Sequence, residues 1–411
     1  MAATMTAHSR HLPLACDAGA LDVLGRGDPA WMQAARRAAW ARFAQAPMPA
    51  RTDEACRRLD LSQLDLTTFH PAAPSHESAP PSADLATARA QGVVVEDLSS
   101  ALVSHAATLR PLLDAAPSDG TFAALHQALW NRGTFIRIPR NIRVEQSLRT
   151  MTTADGDGIG YFPHTLILVE PGARAVVLDE SLADGEGANL HCSVVTILVQ
   201  SGARLVYANL QGLNLQTHRF LWQRVRVERD GHCLTFNGEF GGQLSRVEVS
   251  AELLGPGARS ELFGLVMGRG AQHSEVHTFQ QHTAPHTSSD LLYKTILRDR
   301  ARSTYQGLIR VTKQAQQTDA YQANRNLLLG HEAHAESMPK LEIEADDVRC
   351  THGATVGHVD EELQFYLMSR GLQAAAADRM IVDGFIEELL TRLPEESLRE
   401  QARQHVARVV A

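Results

Sequence analysis

Between about Gly133 and Gly357 the apolar positions come in short runs of Val, Ile, Leu, Thr and Tyr separated by glycine turns. Little of the three-to-four-residue spacing of a helix is present there, and each run has the length of a strand. Laying the turns over one another exposes a repeat: EPGARAVVLDE, QSGARLVYANL, ERDGHCLTFNG, GPGARSELFGL, RGAQHSEVHTF, RDRARSTYQGL and GHEAHAESMPK. Aligned on Ala173, Ala203, His232, Ala258, Ala271, Ala301 and Ala333, most steps are near 30 residues, and the step of 13 from Ala258 to Ala271 is about half of that. A fixed period of this size, with one strand–turn–strand unit per repeat, is the signature of a solenoid. Two-strand coils stacked in parallel bury the apolar positions of each coil on the next, so residues 133–357 are expected to form a parallel β-helix. A sandwich or barrel would place hairpins about every 8–12 residues, and few Asn-Gly or Asp-Gly turns support one.

Helical patterns flank this core, giving a mainly β chain with helical regions at residues 1–132 and 358–411. In DPAWMQAARRAAWARFAQAPMP, Asp28 is placed as a cap, Pro29 at the first helical position and Pro47 as the stop. Trp31, Ala35, Ala38 or Ala39, and Phe43 then share one face. Residues 71–84 are rich in Pro, Ser and Ala and read as a linker, and a helix from Thr121 to Asn131 closes the region. After Gly357, DEELQFYLMSRG opens with acidic residues suited to a helix start and ends on Arg370-Gly371. A second helix collects Met380, Phe385, Ile386, Leu389, Leu390 and Leu393 on one face, and a third follows Pro394. Such a tail either caps the open end of a solenoid or docks another protein.

Composition narrows the class. The 411 residues are 44% hydrophobic and 21% charged, which supports a sizeable core. A net charge of -8 argues against nucleic acid as a partner, since that needs a basic face to displace counterions. No apolar run reaches the length of a membrane span, so no membrane partner is expected. The apolar part of LPLAC, ending at Cys16, is shorter than a signal-peptide core. Five scattered cysteines without a C-x-x-C pair read as reduced thiols of a cytoplasmic protein and supply no complete zinc set.

Candidate chemistry is concentrated in two places. His273, His277, His282 and His286 form the densest histidine cluster, and in a strand His273 and His277 could converge on one face, as a metal site or as a polar row. His331 and His334 lie in a turn and read as surface residues. Cys350 and His352 also share a face, and Gly353 and Gly357 let the chain turn away after them. Three readings of that pair stay open: a metal or cluster ligand, a nucleophile with its base, or a packed pair. No G-x-S-x-G elbow supports the second. The absence of a P-loop and of G-x-G-x-x-G leaves this chain without a nucleotide motif, so ATP is not expected on it.

The run from TDAYQANRNLLLG through PKLEIEADDVRCTHGATVGHVDEELQFYLMSRGL, together with SDLLYKTILRDRARSTYQGLIRV upstream, strongly resembles the SufB/SufD family of the SUF iron–sulfur cluster assembly system. The resemblance is close over residues 289–372 and loose over the whole layout. PMPARTDEACRRLDLSQLDL matches less well, with Cys56 where an aromatic is usual. It implies a right-handed β-helix acting as a non-enzymatic scaffold, paired with SufB through its C-terminal end. Cys350 and His352 match the family's Cys-x-His pair, and with it a metal or nascent-cluster site shared with SufB. The C-terminal helices, through Met380, Phe385, Ile386, Leu389 and Leu390, would dock the ATPase SufC. A transient iron–sulfur cluster, and FAD as a reductant, would belong to the assembled complex. SufB-type members carry a cysteine before an LLMG-like segment, and Asn324 stands there in this chain, which places it on the SufD side of the family. The alternatives are a β-helical polysaccharide-active enzyme and a homodimer that handles iron without SufB.

Overall fold

The seven aligned turns fall on two different corners of one solenoid. The computed structural model describes residues 18–410 except 51, 54–55, 74–82, 115, 117–119 and 184, so Cys16 and most of the 71–84 linker lie outside the described residues. Ala173, Ala203, His232 and Ala258 lead into strands Arg174–Leu182, Arg204–Gly212, His232–Glu239 and Arg259–Gly268, which are neighbours in one sheet. Ala271, Ala301 and Ala333 lead into His273–His282, Arg302–Val311 and His334–Ile343, neighbours in the other. The 13-residue step therefore crosses half a coil, from one corner to the next. Ala173, Ala203, Ala258 and Ala301 are fully buried at these corners. Gly172, Gly202 and Gly257 supply the left-handed backbone before the first, second and third of them, at φ 72, 68 and 75.

Among the described residues the solenoid consists of an 11-stranded and an 8-stranded sheet, with each coil giving one strand to each. The stacking is parallel and in register, so like residues form columns through the interior. Ile167, Ile197, Val225 and Ala251 make one such column, all fully buried. Each large aliphatic member contributes about 1.5–3 kcal/mol by leaving water. Other interior positions are polar, and one group of them bonds internally. Tyr207 donates to Asp179 at 2.9 Å, and Thr150 and Thr165 donate to the same carboxyl at 2.8 and 3.0 Å. Burial raises the pKa of Asp179, and these three donors oppose the rise.

The two ends of the larger sheet differ. At one end strand Val94–Asp97 pairs antiparallel with Arg132–Ile138, and the N-terminal helices pack around it. At the other, His334–Ile343 pairs among the described residues with the preceding coil alone, as Val348–His358 does at the same end of the smaller sheet.

In the N-terminal region the first long helix, Ala30–Gln45, has Pro29 at its cap rather than inside it. Asp28 does not cap; its carboxylate accepts from Arg36 Nε at 2.7 Å, with both side chains buried. Arg36 also donates to the carbonyls of Ala128 and Trp130. The buried face is therefore Met32, Arg36, Ala39 and Phe43, and Trp31 and Ala35 lie at its edge. A buried arginine defeats an apolar-stripe reading. The helix expected from Thr121 to Asn131 runs Thr121–Leu129.

Three C-terminal helices, Glu361–Ser369, Ala374–Leu390 and Glu396–Val410, follow the last strand. The second and third cover the outer face of the smaller sheet, where Ile386, Leu389, Leu390 and Leu398 meet Phe236, Phe263, Leu265 and Leu292. Glu388 pins them through Lys294 at 2.7 Å and Arg325 at 2.5 Å, and Arg392 reaches Asp290 at 2.9 Å. Among the described residues, no helix is long and apolar enough to cross a membrane.

Candidate functional site

The bare end of the solenoid gathers the Cys-x-His pair. Strand Thr318–Leu328 alternates so that Ala320, Gln322, Asn324 and Asn326 point inward, all buried. Val348–His358 lies in register on it, with Cys350 opposite Ala320 and His352 opposite Gln322. Both side chains therefore continue interior columns, and with no further coil above them they surface at the mouth. Cys350 is half-buried against Leu341, Val348 and Ala320, and His352 is exposed. Gly353 and Gly357 do not turn the chain away, since both lie inside the strand, and a Cβ added at Gly353 would meet the Tyr321 hydroxyl at an ordinary 3.6 Å.

Burial raises the Cys350 thiol, nearby Asp319 adds to the rise, and a hydrogen bond with the Ala320 backbone opposes it. A thiol held protonated is a poor nucleophile at neutral pH. It becomes a ligand when a cation arrives to displace the proton. Among the described residues no group of three or more metal-capable side chains exists, so this pair offers two ligands and no closed site.

Asn324 lies one coil down in the neighbouring column, opposite Ala354, and is fully enclosed. Its amide donates to the Tyr293 carbonyl at 3.3 Å and its oxygen accepts from Asn326 at 2.8 Å.

The histidine cluster does not converge. His273 and His277 share the outer face of the larger sheet, yet four residues of strand place them roughly 13 Å apart. His282 turns inward and bonds Thr287 and Ser289 at 2.8 Å each, and burial lowers its pKa to about 4. His286 lies in the following turn at φ 57. His331 and His334 are exposed, as expected.

The expected docking face of the C-terminal helices divides. Ile386, Leu389 and Leu390 are 0–2% exposed and packed on the sheet, so they cannot meet a partner. Phe385 is half-buried beside Lys294, whose Nζ lies 4.6 Å from its ring. Met380 is 51% exposed. The apolar surface that sequence reasoning missed is Leu363, Phe365, Tyr366 and Met368, on a helix with no buried residue. Its signal was legible in LQFYLM, a bulky apolar run too dense for one stripe.

These features together define a parallel β-solenoid protein with helices at both termini, an open last coil carrying Cys350 and His352, and an exposed apolar helix after it. Residues 151–385 match the family described as "SUF system FeS cluster assembly, SufBD core domain", and the chain belongs to that family. It is 31% identical over 322 residues to the iron-sulfur cluster assembly protein SufB of Bacillus subtilis (strain 168), covering 76% of this chain and 68% of that one. It is 29% identical over 316 residues to iron-sulfur cluster assembly SufBD family proteins of Staphylococcus epidermidis (strain ATCC 12228) and Staphylococcus aureus (strain MRSA252), with the same coverage. Membership sets aside the polysaccharide-enzyme alternative.

Proposed function

We propose that this chain is the SufD-type scaffold subunit of a SufBCD-type complex and itself carries out no catalysis. The observation that carries the proposal is the position of Cys350 and His352, on the inward side of a strand whose other edge has no partner. A SufB-type chain pairing along His334–Ile343 and Val348–His358 would extend both sheets by main-chain hydrogen bonds. Its own ligands would close the site over Cys350 and His352. Iron delivered there would displace the Cys350 proton, and with sulfide brought by a separate donor the two chains would hold a transient iron–sulfur cluster in common. Asn324, enclosed and bonded to Asn326, leaves the second half of the ligand set to the partner.

Leu363, Phe365, Tyr366, Met368 and Met380 supply the surface for a SufC-type ATPase. ATP turnover belongs to that subunit, and FAD enters as a reductant of the assembled complex. Co-expression of wild type or His352→Ala with SufB and SufC tests the reading through subunit ratio, iron content and visible absorption. An intact complex that loses its chromophore on substitution supports it. A wild-type chain that binds neither partner overturns it. In isolation the same edges would pair with a second copy, giving a homodimer that dissolves when SufB is added.

A further inference from the structure

A groove of about 480 Å³ lies on the outer face of the larger sheet, near the bare end and apart from Cys350 and His352. One wall comes from the N-terminal segment, through Arg57 and Arg58, and the other from the solenoid, through Arg300, Arg302, His273 and His334. His273, Arg302 and His334 stand in register on three successive strands, so they form one column at the ordinary strand spacing. Two carboxylates share the groove, Asp60 and Glu336. Glu336 is already engaged on both oxygens, by Arg58 Nε and by His334 Nε2. Asp60 accepts from the Ser62 backbone at 3.0 Å. Arg57, Arg300 and Arg302 are exposed and carry no ion pair among the described residues.

In a chain of net charge -8, four arginines converging on one concavity against two carboxylates is a local reversal of sign. The guanidinium groups repel one another across the groove, and a bound anion relieves that repulsion. Guanidinium forks from opposite walls, with imidazoles on either side of Arg302, match an anion that presents acceptor oxygens in several directions. A phosphate group does so, and a carboxylate offers one plane.

We infer that this groove is a binding site for a phosphate-bearing small molecule with at least two negative charges, held by Arg57, Arg300 and Arg302. The ligand chemistry is shared by a free diphosphate and by the diphosphate of a nucleotide. The site lies on the outer face and is independent of the cluster role of the mouth.

Isothermal titration of the full chain with sodium pyrophosphate and, separately, with ADP tests it at about 50 mM salt, where screening is weak. Both Arg300→Gln/Arg302→Gln and Arg57→Gln should weaken binding roughly tenfold or more. Arg204→Gln, an exposed arginine on the smaller sheet, should leave it unchanged. Thermal melts of each variant report folding, and Arg57→Gln, on the opposite wall, carries the test if the double variant does not fold. Tighter binding of ADP assigns the phosphate to a nucleotide, and tighter binding of pyrophosphate assigns it to a free anion. No binding of either probe, or binding that survives Arg57→Gln and the double substitution, overturns the inference.

Discussion

His405 lies flat on Phe240, ring centroids 5.0 Å apart and planes 11° from parallel, so the last helix is held to the solenoid by an imidazole that must stay neutral. Burial lowers its pKa to about 4. Burial also lowers His218 and His282 to about 4 and His126 to about 3.

These four groups give the fold an acid limit. Above their ordinary value near 6.5 both folded and unfolded chains hold them neutral, and their full contribution is present. As pH falls from about 6.5 towards about 4 the unfolded chain takes up protons that the folded chain refuses, so stability declines. Chemical denaturation midpoints at pH 7.5, 6 and 5 should fall in that order, with a total loss on the order of a few kcal/mol. A midpoint constant across the range would contradict this account.

Lys294 and Glu388 pair at 2.7 Å with very different exposure, the lysine side chain at 3% and the carboxylate at 39%. Burial lowers the lysine pKa despite its partner, and hydrogen bonding to Lys294 lowers that of Glu388. Glu388→Ala therefore strands a buried ammonium and should cost on the order of 1–3 kcal/mol. Lys294→Met leaves an exposed carboxylate that still has Arg325 and should cost less. Equal losses in urea melts would show that the pair, not the burial, dominates.

Gly264 has no room for a side chain: an added Cβ would stand 2.1 Å from Tyr293 Cε1. Tyr293 is enclosed and donates to Asn237 at 3.2 Å, so it has little freedom to move. Gly264→Ala should lower stability by about 1–3 kcal/mol through overpacking. A wild-type melting temperature would mean that the coil relaxes there.

The C-terminal helices separate stability from docking. A chain ending at Gly371 loses Ile386, Leu389, Leu390 and Leu398 and exposes Phe236, Phe263, Leu265 and Leu292. It should aggregate rather than survive as a free solenoid. Phe365→Ser/Tyr366→Ser removes exposed groups and should change stability by less than about 0.5 kcal/mol, yet weaken capture of a SufC-type ATPase. Soluble truncated protein with full stability would reverse the first assignment, and undiminished capture the second.

The Cys350 thiol, raised by burial and by Asp319, should react with iodoacetamide at pH 7.5 more slowly than glutathione does. Faster reaction would restore the nucleophile reading.

Much of the architecture was legible because a solenoid repeats one decision. Strand-length apolar runs and buried corner alanines recur at Ala173, Ala203, Ala258 and Ala301, and the one irregular step marked the second corner. Helix faces were less legible, since Arg36 is buried through Asp28 and Ile386 is buried by a sheet far away in sequence. The face shared by Cys350 and His352 followed from strand alternation. The exposure of His352 and the partial burial of Cys350 did not, because they depend on where the coils stop. The groove of arginines was illegible, since Arg57 and Arg302 meet only after the N-terminal segment crosses the solenoid.

At the start of the larger sheet Val94–Asp97 runs antiparallel, which interrupts the parallel stacking of coils there and bears on how chains can add. A rod with two bare ends adds subunits head to tail without limit and becomes a fibre. In the proposed complex the joining chain would use the same edges of its own end, so two chains meeting along His334–Ile343 and Val348–His358 cover each other's bare ends and are counted as a pair.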